Sequence, residues 1–168
     1  MAVFFEGFPR VLERSALKPG RWFMASMERT PLLCFSTDAE LDDRPIVLSF
    51  RLAKPEKIEF TPTFLGEITG LLTTVEDDIV FRPGDGAGRL ELAAPTKRPF
   101  PSGALLRLRN GDLGIGFMTR ISRGVTVISL STGLRSEGFD LVFDRWSLSL
   151  RRAGEQASIG RFSATLAA

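Results

Sequence analysis

Three features of the sequence predict an all-β fold, a single antiparallel domain built as a sandwich or barrel of about ten short strands. Apolar and polar residues alternate over short segments that recur about every 8–15 residues with turn residues between them. No helical apolar stripe runs longer than two turns. Asn110-Gly111 stands between the alternating runs ALLRLR and DLGIGFMTR, the strongest short-range signal for a β-hairpin. That hairpin, spanning residues 104–119, is expected to sit centrally in the fold.

From the N-terminus, Val3 to Phe8 is apolar and aromatic and reads as a first strand or, over residues 1–8, as an arm lying on a partner. RVLERSAL, residues 10–17, fits a short helix or a strand equally. Lys18-Pro19-Gly20 is a turn. Trp22 to Met27 and Leu32 to Ser36 read as strands joined through Glu28, Arg29, Thr30 and Pro31. TDAELDDR, residues 37–44, reads as a solvated acidic loop. Asp38, Glu40, Asp42 and Asp43 lack the glycine and final glutamate of a calcium-binding loop. Ile46 to Leu52 and Lys57 to Phe64 alternate as a second hairpin, with Ile58, Phe60, Pro62 and Phe64 on one face. Proline donates no ladder hydrogen bond, so the strand carrying Pro62 is expected at an edge or to end there.

Residues 65–75 carry no clear pattern. Ile79 to Arg82 and Arg89 to Ala93 read as strands around a glycine-rich loop. That loop is not a phosphate cradle, because no helix opens after the glycines. Pro95 to Gly103 is an extended, proline-rich connector. For the central hairpin, a two-residue type I′ turn at Asn110-Gly111 sets Leu108 opposite Leu113 and Leu106 opposite Ile115. Ala104, Leu106, Leu108, Leu113, Ile115 and Phe117 then line the core face. Arg107, Arg109 and Asp112 lie on the other face beside the bare Gly114 and Gly116. Val125 to Ser131 reads as an internal strand. Along Phe139 to Arg151 the apolar phase slips by one residue near Asp144-Arg145, as at a bulge where a strand crosses from one sheet to the other. Ser158 to Leu166 supplies the last strand.

Composition narrows the chemistry. There is no histidine and no tyrosine, which removes the usual general base, the Ser-His and Cys-His nucleophile pairs and the commonest transition-metal ligand. A lone Cys34 within PLLCF forms no intramolecular disulfide or thiolate zinc site and is expected to be buried and inert. No apolar run approaches a membrane span, and the opening residues lack a secretory pattern, so a soluble cytoplasmic protein is expected. The basic residues are 18 Arg and 4 Lys, an excess that fits GC-rich bacterial coding as well as anion recognition.

Three functions remain open. The first is a non-enzymatic binding or assembly module, in which plentiful Phe and Arg serve contacts with another protein or with a second copy. The second is a carboxylate-dependent enzyme on a glycan or phosphoester, or a divalent-ion or glycan-binding sandwich, using Glu76 and Asp78 from one strand face with Asp77 and Asp85 nearby. The third is binding of an anion or nucleic acid through Arg107 and Arg109, with Arg120 and Arg123. Nucleic acid is disfavoured there because no aromatic residue accompanies these arginines on their face. The candidate ligand contacts are thus Arg107, Arg109, Asp112, Glu76 and Asp78. No catalytic residue, metal or cofactor is expected.

Overall fold

The structure, a computed structural model, describes residues 10–54, 56–84, 88–90, 102–118 and 124–163. Its strands are β1 (Val11–Leu12), β2 (Trp22–Met27), β3 (Thr30–Leu41), β4 (Arg44–Lys54), β5 (Glu56–Phe64), β6 (Thr69–Thr74), β7 (Asp78–Pro83), β8 (Gly88–Leu90), β9 (Ala104–Leu108), β10 (Leu113–Met118), β11 (Val125–Ser129), β12 (Phe139–Phe143), β13 (Arg145–Arg152) and β14 (Glu155–Ser163). Nine form one curled sheet in the order β1-β6-β2-β3-β4-β5-β14-β13-β7. Five form a second sheet in the order β11-β10-β9-β12-β8, with β9 in the middle. The all-β sandwich or barrel-like class is therefore as expected, with more strands than ten and with one parallel pair, β5 with β14.

Alternation assigns the two faces of the large sheet. Leu33, Phe35, Ile46, Leu48, Phe50, Ile58, Trp146 and Leu148 point inward and meet Leu105, Ile115, Phe117 and Ile128 of the small sheet in the main core. Fully burying each such side chain contributes about 1.5–3 kcal/mol. On the outer face, Phe23, Ala25, Leu32, Cys34, Val47 and Leu72 form a second cluster with Ile68. Leu12, Leu17 and Leu65, from β1 and the segments around two 3₁₀ turns (Arg14–Ala16 and Leu65–Glu67), pack on it. The Arg14 guanidinium ties these segments together by donating to the Leu65 oxygen at 2.8 Å and to the Ile68 oxygen. Residues 10–17, ambiguous from sequence, thus hold a short strand followed by a 3₁₀ turn. Cys34 is wholly buried and its thiol is pushed up to about 12 by desolvation, which leaves it unreactive at neutral pH.

The expected sheet crossing is present. β12 belongs to the small sheet, β13 to the large one, and only Asp144 separates them. β12 carries a bulge between Phe139 and Leu141. Phe139 packs on the outer cluster of the small sheet, whereas Phe143 reaches the main core. Pro62 also behaves as expected in part: β5 is internal by strand order, but its ladder to β14 involves only Glu56 and Lys57.

Three other expectations are corrected, and one falls largely outside the described residues. Residues 37–41 continue β3, and the acidic stretch closes as a two-residue turn at Asp42-Asp43, both with positive φ. β11 is an edge strand rather than internal; its outer side is covered instead by Leu134 and Ser136, whose backbones bond to Ser129 and Val127. The predicted strand from Arg89 onward is described only over Gly88–Leu90. The central hairpin is out of register by one. Its loop is Arg109-Asn110-Gly111: the Gly111 N–H donates to the Leu108 oxygen at 2.9 Å, the Leu108 N–H donates to Asp112 at 2.8 Å, and only Gly111 is left-handed. This is a type I turn closed by a glycine bulge, which uses Asn-Gly one position later than a type I′ turn would. Leu105 therefore faces Ile115, and Leu106 faces Gly114. Leu113, Ile115 and Phe117 share the core with Leu105, while Ala104, Leu106 and Leu108 form a separate buried cluster with Val127 and Val142. Gly114 is not bare beside arginines: a Cβ there would lie 2.9 Å from Leu108 Cδ2. The N-terminal arm, residues 1–8, and the connector centred on residues 95–101 lie outside the described residues.

Type I′ geometry occurs elsewhere. Glu28-Arg29, joining β2 to β3, has φ of 49° and 66°, a conformation that costs side-chain-bearing residues about 1 kcal/mol or more each. Replacing Glu28-Arg29 with Asn-Gly is expected to raise stability by about 1 kcal/mol in urea unfolding. An unchanged or lower midpoint would mean that these side chains offset their own backbone strain.

Candidate anion-binding groove

The arginines singled out from sequence are engaged at the turn end of the small sheet. Arg107 holds Asp140 in a two-point pair, Nε to Oδ1 at 2.8 Å and Nη2 to Oδ2 at 2.7 Å. The bulge in β12 aims Asp140 at Arg107, a contact invisible in the local pattern. The hydrogen bond to Asp140 raises the Arg107 pKa, and its counterpart lowers that of Asp140 below its ordinary 3.8. An Asp depressed in the folded state contributes stability above its unfolded pKa and loses it as pH falls through the folded value. The carboxyl of Asp140 is thus expected to titrate below 3.8 by NMR and to move up in Arg107→Ala. An unmoved midpoint would contradict the pairing.

Arg109 lies across Gly138, where a Cβ would stand 2.9 Å from its Nε. Asp112 is held inside its own loop. Its carboxylate accepts from Asn110 Nδ2 at 3.1 Å and from Ser131 Oγ at 2.9 Å. At the far edge of the large sheet, Asp78 pairs with Arg151 at 3.3 Å and the largely buried Asp77 pairs with Arg152. Glu76 is exposed in the link between β6 and β7. Glu76 and Asp78 therefore stand on the large sheet, and Arg107, Arg109 and Asp112 on the small one. Arg120, Arg123 and Asp85 lie outside the described residues. Among the described residues no group of three metal-ligating side chains is assembled, and no helix is long and apolar enough to cross a membrane.

The structure brings a different set together. On β13, Trp146 and Leu148 point into the core, so Arg145 and Ser147 point outward. Ser147 is registered with Arg82 of β7 on one side and Arg161 of β14 on the other. Paired residues share a face, so Arg82, Ser147 and Arg161 form one row across three strands. Arg145, two residues along, faces Ser163 and lies against Gly84, where a Cβ would meet its backbone oxygen at 3.2 Å. These residues line a groove of about 510 Å³ whose floor lies over the stacked Trp146–Phe162 pair.

Among the described residues no carboxylate lines this groove. Arg82 Nη2 donates to Gln156 Oε1 at 3.1 Å, and Gln156 in turn donates to Ser149 Oγ at 2.7 Å, so one guanidinium is oriented and keeps most of its donors. Among the described residues the Arg145 and Arg161 side chains have no ion-pair or hydrogen-bond partner. Three like charges on adjacent strands repel one another, and an anion seated among them relieves that repulsion. Arginine forks with intervening serine hydroxyls suit the oxygens of phosphate, sulfate or carboxylate.

No protein-family model, curated protein or solved structure matches this chain.

Proposed function

We propose that this protein is a non-enzymatic binding module that takes an anionic, phosphate-type group in the groove over β7, β13 and β14. The observation that carries the reading is the convergence of Arg82, Arg145 and Arg161 on one groove with no carboxylate among its described lining residues. The groove volume falls in the range of small-ligand sites. The sequence supplies no histidine or tyrosine for acid–base chemistry, which favours binding over turnover. A carboxylate enzyme using Glu76 and Asp78 is the less favoured reading, because Asp78 is already paired with Arg151.

Pyrophosphate titrated calorimetrically into the full chain is expected to bind saturably. Arg145→Ala and Arg161→Ala are each expected to weaken it about tenfold, the worth of one charge-assisted contact. Loss of binding in Arg107→Ala, with the groove variants unaffected, would move the site to the hairpin and overturn the proposal.

A further inference from the structure

The cations do not stop at the groove. β14 pairs with β5 in parallel, and Arg161 is registered with Lys57. Lys57, Arg161, Ser147 and Arg82 therefore form one row over four neighbouring strands on the outer face. At ~4.8 Å per strand the row is ~14 Å long, and Arg145 stands beside it. Lys57, like Arg145 and Arg161, is exposed and has no ion-pair partner among the described residues. Over β2 and β3 the same face is apolar and packed, and β4 adds the exposed Arg51 beside Glu59. Among the described residues beside the row, Asp78 pairs with Arg151, and Glu59 is registered with Arg51 of the neighbouring β4.

We infer that this row binds the phosphate backbone of double-stranded nucleic acid. The inference rests on the groove being an anion site and deepens it by naming the ligand. Lys57, Arg161, Arg82 and Arg145 present four cations to the backbone, one for each of about four phosphates. Ser147 and Ser163 add hydroxyl donors between the cations, as phosphate-contacting surfaces do. No Phe or Trp among the described residues is exposed, so unpaired bases find nothing to stack on. A duplex carries twice the linear charge of a single strand and needs no stacking partner. Recognition is therefore through the backbone and independent of sequence.

The test pairs two probes on the full chain: a short mixed-sequence DNA duplex read by fluorescence anisotropy across a salt series, and pyrophosphate read by calorimetry. Four neutralised phosphates give a slope of log affinity against log salt of about −3.6. Lys57→Ala is expected to make that slope shallower by about 0.9 and to leave pyrophosphate binding unchanged, because Lys57 lies outside the groove. Arg161→Ala is expected to weaken both probes, and Arg161→Lys to restore much of the duplex affinity. If pyrophosphate binds and the duplex does not, this inference fails while the anion site stands. If neither binds, both fail. Tighter binding of a single strand than of the duplex, or an unchanged slope in Lys57→Ala, also overturns it.

Discussion

Gly133→Ala is expected to lower stability by about 3–5 kcal/mol, which in a chain of this size moves the melting temperature down by roughly 6–20 °C. Gly133 sits in the loop after β11 at φ +73°, where a methyl group would stand 2.1 Å from the Gly20 nitrogen and 2.6 Å from the Ser36 oxygen. Both neighbours are backbone and neither can swing aside. The contact is also where the two sheets are tied, because the Asp38 N–H of β3 donates to the Gly133 oxygen at 3.0 Å; beside it the Gly20 N–H donates to the Ser36 oxygen of the same large sheet at 2.9 Å. Asp38 adds a carboxylate bond to the Arg135 N–H at 2.8 Å, which gives one member of the acidic stretch a structural task. Gly111→Ala is the matched control. Its φ of +90° is equally left-handed, yet nothing lies within 4 Å of the added carbon. It should cost only the backbone strain, about 1–2 kcal/mol. Equal losses in the two variants, measured by denaturant unfolding, would show that close packing at Gly133 contributes nothing.

Trp146→Ala carries the second large effect, an expected loss of about 3–5 kcal/mol. Trp146 is 2% exposed and stacks on Phe162 with ring centroids 4.8 Å apart. Its indole N–H donates to the Gly103 oxygen at 2.8 Å in the interior. That bond joins the first strand after the sheet crossing to the residue that leads into β9, so one side chain links both sheets. Trp146→Phe separates packing from hydrogen bonding. It keeps an aromatic ring but leaves the Gly103 oxygen unpaired, at a cost of about 1–3 kcal/mol. If Trp146→Phe were as stable as the parent protein, the hydrogen bond would be shown to add nothing to the fold.

What the sequence reveals follows from the range of each interaction. Alternation is local, so the inward faces of β4 and β5 are readable, as is the phase slip at Asp144 where the chain changes sheets. The register of the central hairpin is not readable. Ala104-Leu105-Leu106 is apolar on both faces, and both faces are buried, so the pattern cannot choose between registers one residue apart. Asn-Gly serves a two-residue turn and a three-residue loop alike.

The groove escapes a sequence reading for a different reason. Arg145 and Ser147 alternate visibly with Trp146 and Leu148, so their outward direction can be predicted. Their companions Arg82 and Arg161 come from strands distant along the chain, and only the pairing of β13 with β7 and β14 assembles the cluster. Arg107 draws notice first because it sits beside a clear turn, yet its charge is matched by Asp140 across β12. A local pattern reports a cation and stays silent about the carboxylate that neutralises it.

The most direct test of the anion site is an amide and arginine side-chain NMR titration with pyrophosphate. The expected shifts fall on Arg82, Gly84, Arg145 to Ser147 and Arg161 to Ser163, with Arg107, Arg109, Asp112, Glu76 and Asp78 unmoved. Shifts centred on Arg107 and Asp112, or none anywhere, would contradict it.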